Sequence, residues 1–399
     1  MRMHIFLLLL ISVATVTTSV WAQKKEVTFP PSKPLSQSSV DQWSADDGLI
    51  SNNLTSVVQG DDGFLWITAY NGLIRFDGHR FELFDRENTP FLQSDAFYRT
   101  IKEGSKLWLA TQGSGIVIYE NNILKPYQPK EGKLPSSIRC LLITDSVTFV
   151  GSNNNGLFIL RNEIVEKATF DPVSNTSIMA IVKDTHGSIW IGTNGNGVIK
   201  IENGEFSHYT TKQGLSGNVI NALYAMPDGR ILIGSTNGLD ILTENNITPI
   251  DLLQNIQINA LTVDSYGSIW AATERGVARI NEAAQTEELF TKAQGLPTFE
   301  ITSLTFDSEG SLWLATSKAG LLRLKDTGIV TYSEANGLSL DLVNVIAEGP
   351  NKELYIGTDG NGIDVFANGT FTSLELGHTL NNIGIRDICV DKDILWIGS

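Results

Sequence analysis

Apolar residues in this chain fall in short runs rather than at helical spacing. A typical run is Ile189-Trp190-Ile191, followed by the small residue Gly192, then Thr193 and a polar turn. Runs of this length bounded by Gly, Asn and Asp predict β-strands joined by tight turns. The run recurs. Its aromatic or large apolar anchor is Trp66, Trp108, Phe149, Trp190, Leu232, Trp270, Trp313, Tyr355 and Trp396, spaced 38 to 43 residues apart. Nine anchors in register mark an internal repeat, which has to be settled before the fold can be argued.

Each repeat has the same internal order. A turn such as Asp184-Thr185-His186-Gly187, Asp264-Ser265-Tyr266-Gly267 or Asp307-Ser308-Glu309-Gly310 precedes the anchor strand. Asp at the first and Gly at the fourth position suit a type I turn. Asn71-Gly72, Asn155-Gly156, Asn196-Gly197, Asn237-Gly238 and Asn361-Gly362 follow it. Asn-Gly suggests a hairpin with positive φ at both central positions. A third strand, an outer fourth strand and a Gly-Leu loop (Gly48-Leu49, Gly214-Leu215, Gly295-Leu296, Gly337-Leu338) complete the unit. Four antiparallel strands at this period make one blade of an all-β, β-propeller fold. The anchor is predicted to be core between blades, because Phe149, Leu232 and Tyr355 share its slot with Trp.

The blade count sets the organisation. Val40 to Trp43 matches a fourth strand with no blade before it. It is expected to complete a seven-bladed ring over residues 40–326, with 327–399 beginning a second propeller that stops short. Before the ring, Arg2, the apolar run Ile5 to Val13 and the small-residue end Val20-Trp21-Ala22 have the layout of a secretory signal peptide over residues 1–22. Residues 23–39, rich in Pro, Ser and Lys, read as a linker. A periplasmic location follows as an expectation.

Composition narrows the function. The formal net charge is -15 and no Lys/Arg cluster occurs, which argues against a nucleic-acid groove. The two cysteines, Cys140 and Cys389, are expected to be buried free thiols in different rings. No catalytic or metal constellation is apparent. His79, His186, His208 and His378 fall in turns or outer strands, and no cofactor is predicted. Propeller topology puts the loops after the anchor strands on the face that opens the central channel. The polar candidates there are Tyr70, Asn71, Gln112, Asn153, Asn154, Asn194, Asn196, Asn237, Glu274, Arg275 and Lys318, residue types suited to sugar hydroxyls or a carboxylate.

The segment Trp43-Ser44-Ala45-Asp46-Asp47-Gly48-Leu49, then Asp62-Gly63-Phe64-Leu65-Trp66, then Asn71-Gly72-Leu73-Ile74-Arg75-Phe76-Asp77-Gly78 resembles the two-component regulator propeller repeats of bacterial sensors. The resemblance runs from about Gln42 to Ser399. It implies the ligand-sensing part of an inner-membrane receptor whose output, a kinase, cyclase or DNA-binding module, lies outside this sequence. It also implies a small-molecule or oligosaccharide ligand, room for a homodimer through the full receptor, and no catalysis in this segment. The alternatives are a streptogramin-lyase-like enzyme and a protein-interaction scaffold.

Overall fold

A computed structural model describes residues 29–244, 246–283, 285–326, 332–374, 383–392 and 394–399. Residues 1–28, the proposed signal peptide and start of the linker, and His378 lie outside it, as does all but Tyr332 of the stretch Ile329 to Tyr332 expected to pass to a second ring.

Seven four-stranded antiparallel sheets form a ring. Their innermost strands are Leu54–Gln59, Phe97–Glu103, Ile138–Ile143, Ile178–Lys183, Ile220–Ala225, Ile258–Val263 and Ile301–Phe306, each against the next. The last lies against the first, so the ring closes. The seventh blade is built from both ends of the ring. Ser39–Trp43 pairs antiparallel with Leu321–Lys325, with Val40 opposite Leu324 and Asp41 opposite Arg323. An eighth four-stranded sheet and a two-stranded sheet follow.

The anchors occupy the second strand of each blade, and those of the seven-bladed ring are core or, for Phe149, packed against it. Trp66, Leu232 and Trp270 are wholly buried; Trp108, Trp190 and Trp313 nearly so. Two positions later a small residue is required. A Cβ on Gly192 or Gly234 would lie 2.7 or 2.6 Å from Ile220 or Ile258, the first residue of the next blade's inner strand. The Asp of the preceding turn fixes the indole. Asp184 accepts from the His186 and Ser188 amides at 2.9 and 2.8 Å and from Trp190 Nε1 at 2.8 Å. Asp264 and Asp307 hold Trp270 and Trp313 in the same way. Burial pushes the Asp184 carboxyl up, but these donors outweigh it and leave its pKa below the usual value. In the first blade Gly60 stands where the Asp would be, and Trp66 Nε1 is buried without a partner.

The Gly-Leu loops are short 3-10 turns closed by reciprocal caps. Thr210 and Gln213, or Thr291 and Gln294, bond each other's backbone, and Gly214 or Gly295 ends the turn at φ 107° or 110°. The following Leu215 or Leu296 is buried.

Three expectations are corrected. At Asn71-Gly72, Asn196-Gly197 and Asn237-Gly238 only the Gly has positive φ. The turns with consecutive positive φ join the third and fourth strands instead, as at Asn121-Asn122, Asn162-Glu163 and Asn203-Gly204. Within the presumed linker, the described part from residue 29 is packed onto the sixth blade. Phe29 is buried edge-on to Trp270 at 5.4 Å, and Leu35 is buried. The buried Arg279 pairs with Glu288 and donates to the carbonyls of Pro30 at 3.1 Å and Lys33 at 2.6 Å. A buried guanidinium needs acceptors on several sides, and this segment supplies them. Finally, both cysteines are free, but only Cys140 is buried; Cys389 is exposed, on a two-stranded sheet that leaves its outer side open.

Candidate functional site

The chemistry of the ring axis comes from an irregularity repeated in every blade. Pairing of the inner strand with the anchor strand skips one residue: between Leu54 and Ser56, Phe97 and Arg99, Ile138 and Cys140, Ile178 and Ala180, Ile220 and Ala222, Ile258 and Ala260, and Ile301 and Ser303. A β-bulge re-aims the side chain of its extra residue. The seven skipped residues are Thr55, Tyr98, Arg139, Met179, Asn221, Asn259 and Thr302. All seven line one cavity of about 280 Å³, joined by Tyr70, Arg99, Gln257 and Glu300. A cavity that takes one residue from every blade must lie on the axis, at a mouth of the central channel.

Four of the seven also join neighbouring blades. Thr55 Oγ1 donates to the Phe97 carbonyl at 2.8 Å, Asn221 Nδ2 to Ile258 at 3.0 Å, Asn259 Nδ2 to Ile301 at 2.8 Å and Thr302 Oγ1 to Leu54 at 2.8 Å. Tyr98, Arg139 and Met179, on three consecutive blades, make no such bond. The Arg139 guanidinium lies over the Tyr98 ring at 4.3 Å, and its Nε is buried without a partner. Among the described residues neither Arg99 nor Arg139 has a carboxylate within ion-pair distance. Burial first, and the like charge of Arg139 after it, hold the Arg99 guanidinium below its usual pKa.

The loops after the anchor strands flank this mouth. Backbone amides of Gln112, Asn153, Asn194 and Glu274 donate to the carbonyls of Ala96, Ser137, Ser177 and Gln257, the residues that enter the inner strands. Of the polar loop residues singled out in the sequence, only Tyr70 lines the cavity, half exposed, with its ring 6.2 Å from Tyr98. Asn71 Nδ2 reaches the Ile50 carbonyl at 3.5 Å, and Asn196 Nδ2 the Pro172 carbonyl at 3.4 Å. Asn153 and Asn154 both accept from Ser177 Oγ, at 3.3 and 2.8 Å. Asn237 accepts from Thr236 Oγ1 at 3.0 Å. Arg275 faces Glu274 at 3.9 Å, and Lys318 is exposed. These groups surround the opening but do not converge. Tyr98, Arg99, Arg139, Asn221 and Asn259 were missed. Their signal was present: six blades carry Ser, Cys or Ala at the third position of the inner strand, and one carries Arg99.

Among the described residues no group of three His, Cys, Asp or Glu side chains could hold a metal ion. His208 Nε2 meets the Asn196 carbonyl at 2.5 Å, and His186 lies in the Asp184 turn.

A family of known proteins, the two component regulator propeller, matches residues 172–195, the end of one blade's outer loop through the anchor strand of the next. Over that stretch the chain is similar to a two component regulator propeller repeat. A histidine kinase of Formosa agariphila is 26% identical to this chain over 195 residues, 41% of this chain and 14% of that protein. The extracellular domain of a B. thetaiotaomicron protein described as a hybrid two component system superposes with a TM-score of 0.78 at 22% identity, covering 90% of this chain and 52% of that one. Virginiamycin B lyase from Staphylococcus aureus superposes with a TM-score of 0.59 at 14% identity, covering 72% of this chain and 99% of the lyase. At these identities the structural matches speak for the propeller fold. The chain spans about half the length of the first of these extracellular domains and a small part of the kinase.

Proposed function

We propose that this regulator propeller is the ligand-sensing, non-catalytic ectodomain of a bacterial signalling receptor, exported to the periplasm and tied to the inner membrane through other parts of the receptor. Its ligand is a small polar molecule of the oligosaccharide class, taken at the channel mouth. The observation that carries the site is the set of seven bulges that turn Tyr, Arg, Asn and Thr side chains toward one opening. Aromatic rings beside amides and guanidinium groups suit sugar faces and hydroxyls. The sensor role is supported by the family repeat and by the histidine kinase relative.

The eighth sheet belongs, in this reading, to a second ring. Ile346 is 59% exposed where its counterpart Val57 is 3% exposed, and Trp396 is 62% exposed where Trp66 is wholly buried. Blades bury these positions against neighbours, so further blades are the natural cover.

Calorimetric titration with a panel of neutral and acidic oligosaccharides tests the reading. A binder is expected whose affinity falls about tenfold or more in Tyr98→Ala and Tyr70→Ala. Tyr266→Ala, in an Asp-x-x-Gly turn outside the cavity, should leave it unchanged. Binding that survives both of the first changes and is lost in the third would put the site elsewhere.

A further inference from the structure

Arg99 breaks the rule of its own position. The equivalent residues are Ser56, Cys140, Ala180, Ala222, Ala260 and Ser303, each small and set between adjacent inner strands. Ser56 and Ser303 use the slot to accept a backbone amide from the next blade, at 3.4 Å in both cases. Packing therefore asks for a small side chain, and a guanidinium there extends into the channel, where it lines the cavity. The neighbouring blade contributes a second guanidinium from its bulge, Arg139. Stacking on Tyr98 orients Arg139 and leaves its buried Nε unbonded.

Two like charges share this opening without an acidic partner, in a chain whose net charge is -15. The one carboxylate on the cavity wall, Glu300, forms no ion pair with either. The other buried and half-buried arginines of the ring do find partners: Arg75 with Glu82, Arg230 with Asp228 and Glu282, Arg279 with Glu288, Arg323 with Asp41. A paired guanidinium arrangement left open toward a cavity is the geometry that receives a planar anion, because the fork of N–H donors matches two carboxylate oxygens.

We propose that the channel mouth binds a carboxylate-bearing ligand, with Arg99 and Arg139 as the carboxylate clamp, Tyr98 and Tyr70 as the aromatic wall, and Asn221, Asn259 and Gln257 as partners for its hydroxyls. The inference rests on the sensor reading for the mouth being a ligand site, and it narrows the ligand to an acidic sugar. Glu300 sets a limit on the clamp: a second negative group on the ligand has to lie away from it.

Thermal melting and calorimetry of the full chain with glucuronate, glucose and inorganic sulfate at matched ionic strength test this. Glucuronate is expected to raise Tm and glucose to leave it unchanged. Arg99→Ala and Arg139→Met take residues that other blades already carry at the same positions, Ala180 and Met179. Both variants should fold, with Tm in the absence of anion equal to or above that of the parent. Each should weaken glucuronate binding about 10- to 100-fold. Equal shifts by glucose and glucuronate, retained in both variants, would overturn the carboxylate clamp and leave the sensor reading in place. A response to sulfate without one to glucuronate would make this an inorganic-anion site and overturn the sugar. No response to any of the three, with oligosaccharides bound elsewhere in the titrations above, would remove the mouth as the site.

Discussion

Thr302 Oγ1 donates a 2.8 Å hydrogen bond to the carbonyl of Leu54, although 248 residues separate them in sequence. The bond runs from the inner strand of the seventh blade to that of the first. It is the same bond that Asn259 makes to Ile301 and Asn221 to Ile258 one and two blades earlier. The seam between first and last blade is therefore built like the interfaces that follow the fifth and sixth blades, and the ring is continuous around its axis.

At the outer side of the seventh blade the closing strand is held by Trp43. Its ring lies 5.2 Å from Trp313 and 5.4 Å from Phe76, and the Arg323 guanidinium sits 5.2 Å from both tryptophans while donating to Asp41. Trp43→Ala should cost about 3 kcal/mol of unfolding free energy in urea, as a large-to-small change at a packed interface. A loss under 1 kcal/mol would mean that the N-terminal strand contributes little to closure.

Gly60 in the first blade stands where Asp184, Asp264 and Asp307 hold the indole in theirs, and Trp66 Nε1 is buried and unbonded. A Cβ at position 60 would meet Asp62 Oδ1 at 2.4 Å, the movable end of a side chain. Gly60→Asp is expected to supply the missing acceptor and stabilise the chain by about 1 kcal/mol, with a higher Tm. A lower Tm would show that Asp62 cannot yield.

The Asp184 carboxylate should make stability pH-dependent. Its folded pKa is depressed, so it contributes above the unfolded value of about 3.9, and that contribution is lost as pH falls through the folded pKa. Asp184→Asn faces Trp190 Nε1 with an amide donor in one orientation and should cost about 1–3 kcal/mol at pH 7. Urea titrations from pH 7 to pH 3 should show the gap between parent and variant narrowing below about pH 4. A gap constant across that range would assign the effect to shape rather than charge.

The two thiols should react at different rates. Burial pushes the Cys140 pKa up to about 12, and its Sγ donates to the Ile178 carbonyl at 3.4 Å. Cys389 is exposed. Iodoacetamide at pH 8 should label Cys389 in the folded chain and reach Cys140 only on unfolding. Labelling of both at one rate, read by mass spectrometry, would place Cys140 at an accessible interface.

Much of the blade is legible along the chain because its determinants are local. The Asp-x-x-Gly turn, the Trp six residues after its Asp and the small residue two further on lie within nine positions, and one blade's backbone brings them together. The capped Gly-Leu loops are equally local. The hairpin turns were harder, since Asn-Gly suits several turn geometries and the neighbouring strand selects among them.

The sequence by itself determined the four-stranded repeat, the anchors that fill its core and the face on which the loops gather, because strand period, turn chemistry and repeat length are properties of contiguous residues. The tertiary structure decided which side chains reach the axis. Simple alternation along an inner strand does not place Arg139 or Asn221 in the channel; the bulge in each inner strand does. The tertiary structure also decided that the described part of the Pro-rich segment docks, because the groups that hold it, Arg279 and Trp270, arrive from a blade roughly 240 residues away, a separation at which local pattern carries no information about contact.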